Sequence, residues 1–137
     1  MKRELKERYS WEELLAIISD LRDPEHGCPW DLAQTPESMR KYVYGEVDEV
    51  FQAIDARDDK NLCEELGDVL FEIILLAQMK SEEGTFTMDD VVSGIARKMI
   101  RRHPHVFGDA VYHSEEELTA AWENIKKGEK TQGHQES

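Results

Sequence analysis

The chain has 137 residues, of which 39% are hydrophobic and 34% charged, and its formal net charge is −13. This composition is typical of one helix-rich globular domain, and the negative charge disfavours a nucleic-acid partner, which needs a basic surface. No apolar run approaches the roughly 20 residues of a membrane span, and the first ten residues lack the apolar segment of a signal peptide. We therefore expect a cytoplasmic protein with no membrane partner.

Capping signals and proline punctuation predict five helices. Ser10 with Glu13 forms a capping box, Thr35 precedes a proline, and Asp59 or Asn61 is expected to cap the third helix. The five predicted helices run from Ser10 to Arg22, from Thr35 to Arg57, from Leu62 to Glu82, from Thr87 to His103 and from Ser114 to Ile125. The predicted fold is an all-α antiparallel bundle, with one domain over 1–127 and a polar, disordered tail over 128–137.

Two carboxylate pairs occupy equivalent positions on the second and third helices. Glu46 and Glu49 are three residues apart, as are Glu65 and Asp68, so each pair shares one helix face beside an apolar stripe. The short connection makes the two helices an antiparallel hairpin and brings the four acids to nearly the same height. Such a cage suits Mg²⁺, with Mn²⁺ as a substitute, although ordinary surface acids have the same pattern.

Two further acids lie close to this pattern on the third helix. Glu72 shares the face of Glu65 and Asp68 and is expected either beside the metal ligands or in solvent. Glu64 points elsewhere and is expected to be solvated.

A basic cluster ends the fourth helix. Lys98, Arg101 and Arg102 fall within about one turn. They are suited to hold phosphates, although basic residues also complement the dipole at a helix C-terminus. Trp30 and Trp122 are either packing residues or platforms on which a base stacks.

Five segments in order resemble the MazG-type nucleoside triphosphate pyrophosphohydrolases. They are LRDPEHGCPWDLAQT, GEVDEVFQAI, EELGDVLFEIILLAQM, RKMIRRHPHVFGD and WENIK, and the resemblance runs from about Trp11 to Lys127. It implies an all-α pyrophosphohydrolase fold whose acids bind Mg²⁺, with the site on the central hairpin. The residues that the resemblance implies as metal-binding and catalytic are Glu46, Glu49, Glu65 and Asp68. It also implies that Lys98 binds the substrate and that Trp122 lies near the nucleotide. Arg101, Arg102 and Trp30 lie in family motifs.

The function implied by the resemblance is Mg²⁺-dependent hydrolysis of a (deoxy)nucleoside triphosphate to the monophosphate and pyrophosphate. Two alternatives stay open: a related all-α pyrophosphatase specific for dUTP, dCTP or phosphoribosyl-ATP, and a non-catalytic helical module that binds nucleotide or metal. The family also implies a homodimer or higher homo-oligomer. Many relatives have an acid where this chain has Gly45 and a lysine where it has Leu32, so the substrate preference stays open.

Overall fold

The structure is a computed structural model that describes residues 2–131. Within that range all regular structure is helical, which confirms the all-α prediction. The helices are α1 (Trp11–Leu21), α2 (Pro29–Ala33), α3 (Pro36–Asp55), α4 (Asp59–Glu82), α5 (Met88–Arg102), α6 (Pro104–Phe107) and α7 (Glu115–Thr131). None of these helices is long and apolar enough to cross a membrane.

Side-chain caps fix where the long helices begin. The Ser10 hydroxyl accepts from the Glu13 N–H at 3.1 Å and the Glu13 carboxylate accepts from the Ser10 N–H at 3.0 Å, which confirms the predicted capping box. Thr35 caps α3 in the same way, with Pro36 in the first helical position. The prediction for α4 is wrong, because Asp58 accepts from the Asn61 N–H at 3.2 Å and the helix begins at Asp59.

The two segments predicted as loops each contain a short helix that begins with proline, which accounts for seven helices instead of about five. Proline suits a first helical position because its missing N–H would have no intrahelical partner there. The loop before α2 is tightly folded. A Cβ at Gly27 would lie 2.5 Å from the Leu21 carbonyl oxygen, and the Arg22 guanidinium donates to the Asp31 carbonyl at 2.6 Å. Glycine at 27 therefore allows this loop to approach the end of α1 closely, and Arg22 separately holds the backbone of Asp31.

Residues 1–88 form one compact unit, of which the structure describes 2–88. Helices α3 and α4 pack along one another as the predicted hairpin, and α1 packs against α4. The core of this unit consists of buried apolar side chains from α1, α3 and α4, namely Ile18, Met39, Ile74, Leu75 and Met79. The predicted apolar stripes are only partly buried, since Phe51 is 56% exposed and Leu66 53%.

Residues 89–137 form a second compact unit, described here as far as Thr131. Helix α7 is capped by Ser114, whose hydroxyl accepts from the Glu117 N–H at 3.1 Å. The helix continues to Thr131 and buries Glu129, so the predicted disordered tail is wrong for 128–131. The rest of that tail, 132–137, lies outside the described residues. The single-domain boundary over 1–127 stays a prediction.

Candidate metal and nucleotide site

The α3–α4 hairpin brings three of the four predicted acids together. Glu46, Glu65 and Asp68 each offer one carboxylate oxygen, and these oxygens lie within 4.8 Å of one another. Glu46 and Glu65 are half-buried and Asp68 is exposed. The convergence follows from the sequence spacing, because i and i+3 positions on α4 face the same side of the antiparallel neighbour.

Glu49 lies at the edge of this cluster. It is exposed and does not belong to the group of three oxygens. Its charge nevertheless acts on both Glu46 and Glu65. Glu49 therefore lies near the cluster, but it does not converge with the other acids in this structure.

The cluster raises the pKa of two of its own members. Desolvation, followed by the charges of Asp68 and Glu49, raises the pKa of Glu46, while a hydrogen bond with Glu65 acts in the opposite direction. Desolvation, followed by the charge of Glu49, raises the pKa of Glu65. Like charges that resist ionisation in each other's presence are typical of a site that a cation neutralises.

Glu72 is the most buried acid beside this cluster. Its side chain lies one turn after Asp68 on α4, and the residue is only 6% exposed, so the alternative of a solvated Glu72 is wrong. Desolvation, with the charges of Glu46, Asp68 and Asp31, raises the pKa of Glu72 to about 6. Asp31 is itself 7% exposed and comes from the short helix α2. Glu64 is exposed, as predicted.

This raised pKa predicts how the stability of the metal-free protein depends on pH. A carboxyl whose pKa is higher in the folded state stabilises the fold below pH 4.5 and loses that contribution as pH rises through about 6. We expect the free energy of unfolding, measured with a chelator present, to fall across that range. The fall due to Glu72 is about 2 kcal/mol, and Glu72→Gln, which stays neutral at every pH, should not show it.

The matched control for this prediction is Glu64→Gln, which removes an exposed charge from the same helix. Urea titrations of both variants and the wild type at pH 4.5 and 7 make the comparison. If the free energy of unfolding falls equally in Glu72→Gln and in the wild type between these two pH values, ionisation of Glu72 is not the cause of the fall.

The donor set fits a hard divalent cation. Carboxylate oxygens are the ligands that Mg²⁺ and Mn²⁺ prefer. Within the described residues, every charge that contributes to the pKa shifts of Glu46, Glu65 and Glu72 belongs to another acid. No basic side chain among the described residues thus offsets the negative charge at these three carboxyls.

Trp30 lies in the same compact unit as the acids. Its ring packs edge-on against Tyr42 with centroids 5.4 Å apart, and 46% of the residue remains exposed. Tyr42 is one turn before Glu46 on α3. The ring of Trp30 is therefore held in place but keeps a free surface.

The other predicted substrate-binding residues lie in the second unit, with Lys98, Arg101 and Arg102 on α5 and Trp122 on α7. Arg101 and Arg102 both form ion pairs with Glu129, Arg102 at 3.0 Å, and the Arg102 guanidinium lies 5.8 Å from the Trp122 ring centroid. The Trp122 ring also packs edge-on against His103 at 5.2 Å. These contacts explain why the cluster is ordered. The assignment of Lys98, Arg101, Arg102 and Trp122 to the site of the acids stays a prediction.

The burial of two acids, Asp31 and Glu129, was not predicted from the sequence. Asp31 follows Pro29 and Trp30 in what read as a loop, and nothing in that pattern indicated a buried carboxylate. Glu129 lies in the polar C-terminal segment and is only 3% exposed. An acidic partner such as Glu129 could have been expected from the sequence, because Arg101 and Arg102 are adjacent at a helix end and a buried arginine requires an acid.

Comparison with known proteins agrees with the resemblance seen in the motifs. Residues 34–107 match the MazG nucleotide pyrophosphohydrolase domain. A nucleoside triphosphate pyrophosphohydrolase of Escherichia coli (strain K12) is 45% identical over 126 residues, which are 92% of this chain and 48% of that protein. The nucleoside triphosphate pyrophosphohydrolase/pyrophosphatase MazG of Thermotoga maritima is 47% identical over 120 residues, which are 88% of this chain and 45% of that protein. The chain thus spans about half the length of these curated relatives.

Two other relatives extend the comparison. The uncharacterized protein YabN of Bacillus subtilis (strain 168) is 50% identical over 115 residues, which are 84% of this chain and 23% of YabN. The crystal structure of a mazG-related protein from Thermotoga maritima aligns with a TM-score of 0.70 and 30% identity, covering 85% of this chain and 98% of that one. Domain match, sequence relatives and fold agree, and the chain belongs to the MazG nucleotide pyrophosphohydrolase family.

Proposed function

We propose that this chain hydrolyses (deoxy)nucleoside triphosphates to the monophosphate and pyrophosphate, with Mg²⁺ bound by the acids of the α3–α4 hairpin. The observation that carries the proposal is the convergence of Glu46, Glu65 and Asp68 within 4.8 Å in a member of this family. Relatives at 45% and 47% identity are named nucleoside triphosphate pyrophosphohydrolases, which supports the same reaction class.

In the proposed mechanism Glu46, Glu65 and Asp68 hold the cation, and Glu49 joins them from the edge of the cluster. Once bound, the cation neutralises phosphate charge and polarises the reacting phosphorus. A water oxygen bonds to phosphorus at the α–β linkage, the linking P–O bond breaks, and pyrophosphate leaves. A carboxylate of the cluster takes the proton of that water.

We assign the substrate contacts to the basic and aromatic residues that the family motifs contain. Lys98 offsets the negative charge that develops on the leaving pyrophosphate, together with Arg101 or Arg102. Trp30 and Trp122 are the rings proposed to face the base. Arg102 is only 7% exposed and engages Glu129 and Trp122, so we propose that it also holds Trp122 in place.

Assembly as a homodimer or higher homo-oligomer is part of the proposal. The hairpin that carries the acids also carries apolar side chains exposed by more than 40%, namely Phe51, Ile54, Leu66 and Ile73. Exposed apolar side chains concentrated on one element are suited to burial against a second copy of the chain.

The direct test incubates purified protein and Mg²⁺ with a panel of ribo- and deoxynucleoside triphosphates and phosphoribosyl-ATP. Pyrophosphate and orthophosphate are scored separately, with EDTA as the metal-free control. We expect pyrophosphate from several triphosphates. Turnover of dUTP, dCTP or phosphoribosyl-ATP alone would replace the proposal with the narrower pyrophosphatase. Nucleotide-dependent thermal stabilisation without turnover would replace it with a binding module.

A further inference from the structure

Glu72 has an oxygen that lacks a hydrogen-bond partner. The residue is only 6% exposed, and Oε2 is buried with no partner among the residues that the structure describes. Leaving a buried carboxylate oxygen without a donor is unfavourable, and such atoms are rare in folded proteins. Within the described residues this acceptor is open to a donor from a bound molecule.

The position of Glu72 indicates where that donor comes from. Glu65, Asp68 and Glu72 occupy successive turns on one side of α4, and the acids that act most strongly on Glu72 are Glu46 and Asp68. Glu72 does not belong to the group whose oxygens converge within 4.8 Å. It therefore lies beside the cluster without belonging to the group of converging oxygens.

We propose that Glu72 is a positioning residue for the cation site, whose buried Oε2 accepts a hydrogen bond from a water molecule coordinated to the cation held by Glu46, Glu65 and Asp68. Mg²⁺ keeps several of its waters when bound to protein, and each bound water needs acceptors for its protons. Carboxylates just outside a ligand set orient such groups and tune metal affinity. The inference rests on the proposed function for the presence of the cation.

Asp31 is a second buried acid whose charge acts on Glu72. It is 7% exposed, and its charge acts on Glu72 as well as on Arg22. Arg22 in turn forms an ion pair with Glu82 at 2.7 Å and donates to the Asp31 carbonyl oxygen. Oε2 of Glu72 has no protein donor within the described chain, so neither Asp31 nor Arg22 satisfies it.

The test measures Mn²⁺ affinity of metal-stripped protein by titration calorimetry without nucleotide. We expect Glu72→Gln to raise the Kd by about 10–100-fold with the number of bound ions unchanged. The methionine of Glu72→Met has a similar shape to glutamate but no oxygen, so this variant should raise the Kd at least as much. Both variants should be no less stable than the wild type when metal-free, since each removes a buried charge from an acidic cluster.

Glu64→Gln is the matched control, because it removes one exposed charge on the same helix that acts on Glu65 but not on Glu72. Its Kd should stay within about threefold of the wild-type value, since exposed charges are screened. Wild-type affinity in both Glu72 variants would overturn the inference, as would equal weakening in Glu64→Gln. Loss of one bound ion in Glu72→Gln would also overturn it, because Glu72 would then be a direct ligand.

These outcomes are separable from failure of the proposed function. A wild-type protein that binds Mn²⁺ but releases no pyrophosphate would refute the reaction while leaving the affinity difference to be measured. Conversely, normal pyrophosphate release with unchanged affinity in both Glu72 variants would refute the role of Glu72 alone.

Discussion

Replacing Asp68 with asparagine is expected to lower the rate of pyrophosphate release by about 10³-fold. Asp68 supplies one of the three oxygens that converge within 4.8 Å, and its charge acts on Glu46, Glu65 and Glu72 alike. Asparagine keeps the shape and one oxygen but removes the charge that attracts the cation. The same substitution should stabilise the metal-free protein, since it relieves repulsion among the remaining acids.

The measurement for Asp68→Asn pairs a pyrophosphate assay with thermal unfolding at increasing Mg²⁺. Wild type should gain stability with Mg²⁺ in proportion to occupancy of the site, and the variant should not. Glu64→Gln, which lies four residues earlier on α4, is the control and should retain both properties. Undiminished turnover in Asp68→Asn, or in the double variant with Glu49→Gln, would exclude the acid cluster as the catalytic site.

Replacing Glu129 with glutamine is expected to lower the free energy of unfolding by about 3 kcal/mol. Glu129 is 3% exposed and forms ion pairs with both Arg101 and Arg102, and the Arg102 side chain is itself 8% exposed. Removing the carboxylate charge takes one counter-charge away from a buried guanidinium, which costs more than the pair contributes when intact. Because these residues join α5 to α7, the loss should appear as destabilisation of the second unit.

Glu123→Gln is the control for this prediction, since Glu123 lies on the same helix and is exposed. Denaturant titration of the two variants gives the difference directly. Equal stability of Glu129→Gln and Glu123→Gln would mean that the Arg–Glu contacts contribute little. A change in Trp122 fluorescence specific to Glu129→Gln would show that the aromatic contact of Arg102 also depends on Glu129.

Much of the fold could be predicted from the sequence because it depends on local chemistry. Ser10 and Thr35 cap the helices that their spacing predicted, and the hairpin follows from two amphipathic segments joined by a short connection. The error at Asp58 has the same origin: adjacent Asp58, Asp59 and Asn61 all suit a cap, and only the backbone geometry selects Asp58.

The candidate site was only partly predictable, because burial depends on contacts between distant segments. Helical phase places Glu72 on the face of Asp68, but it does not reveal that this turn of α4 is buried near Asp31. The ion pairs of Glu129 join residues 28 and 27 positions apart, which no local pattern contains. The convergence of three acids was predictable because each i, i+3 pair is local and the hairpin sets the register.

The central claim is that the acid cluster binds a divalent cation and supports cleavage between the α and β phosphates. Phosphorus NMR of the wild-type protein with Mg²⁺ and its best triphosphate from the panel tests this most directly. Nucleoside monophosphate and pyrophosphate should appear in equal amounts, and EDTA should stop both. Formation of nucleoside diphosphate with orthophosphate, or pyrophosphate release that continues in EDTA, would contradict the account.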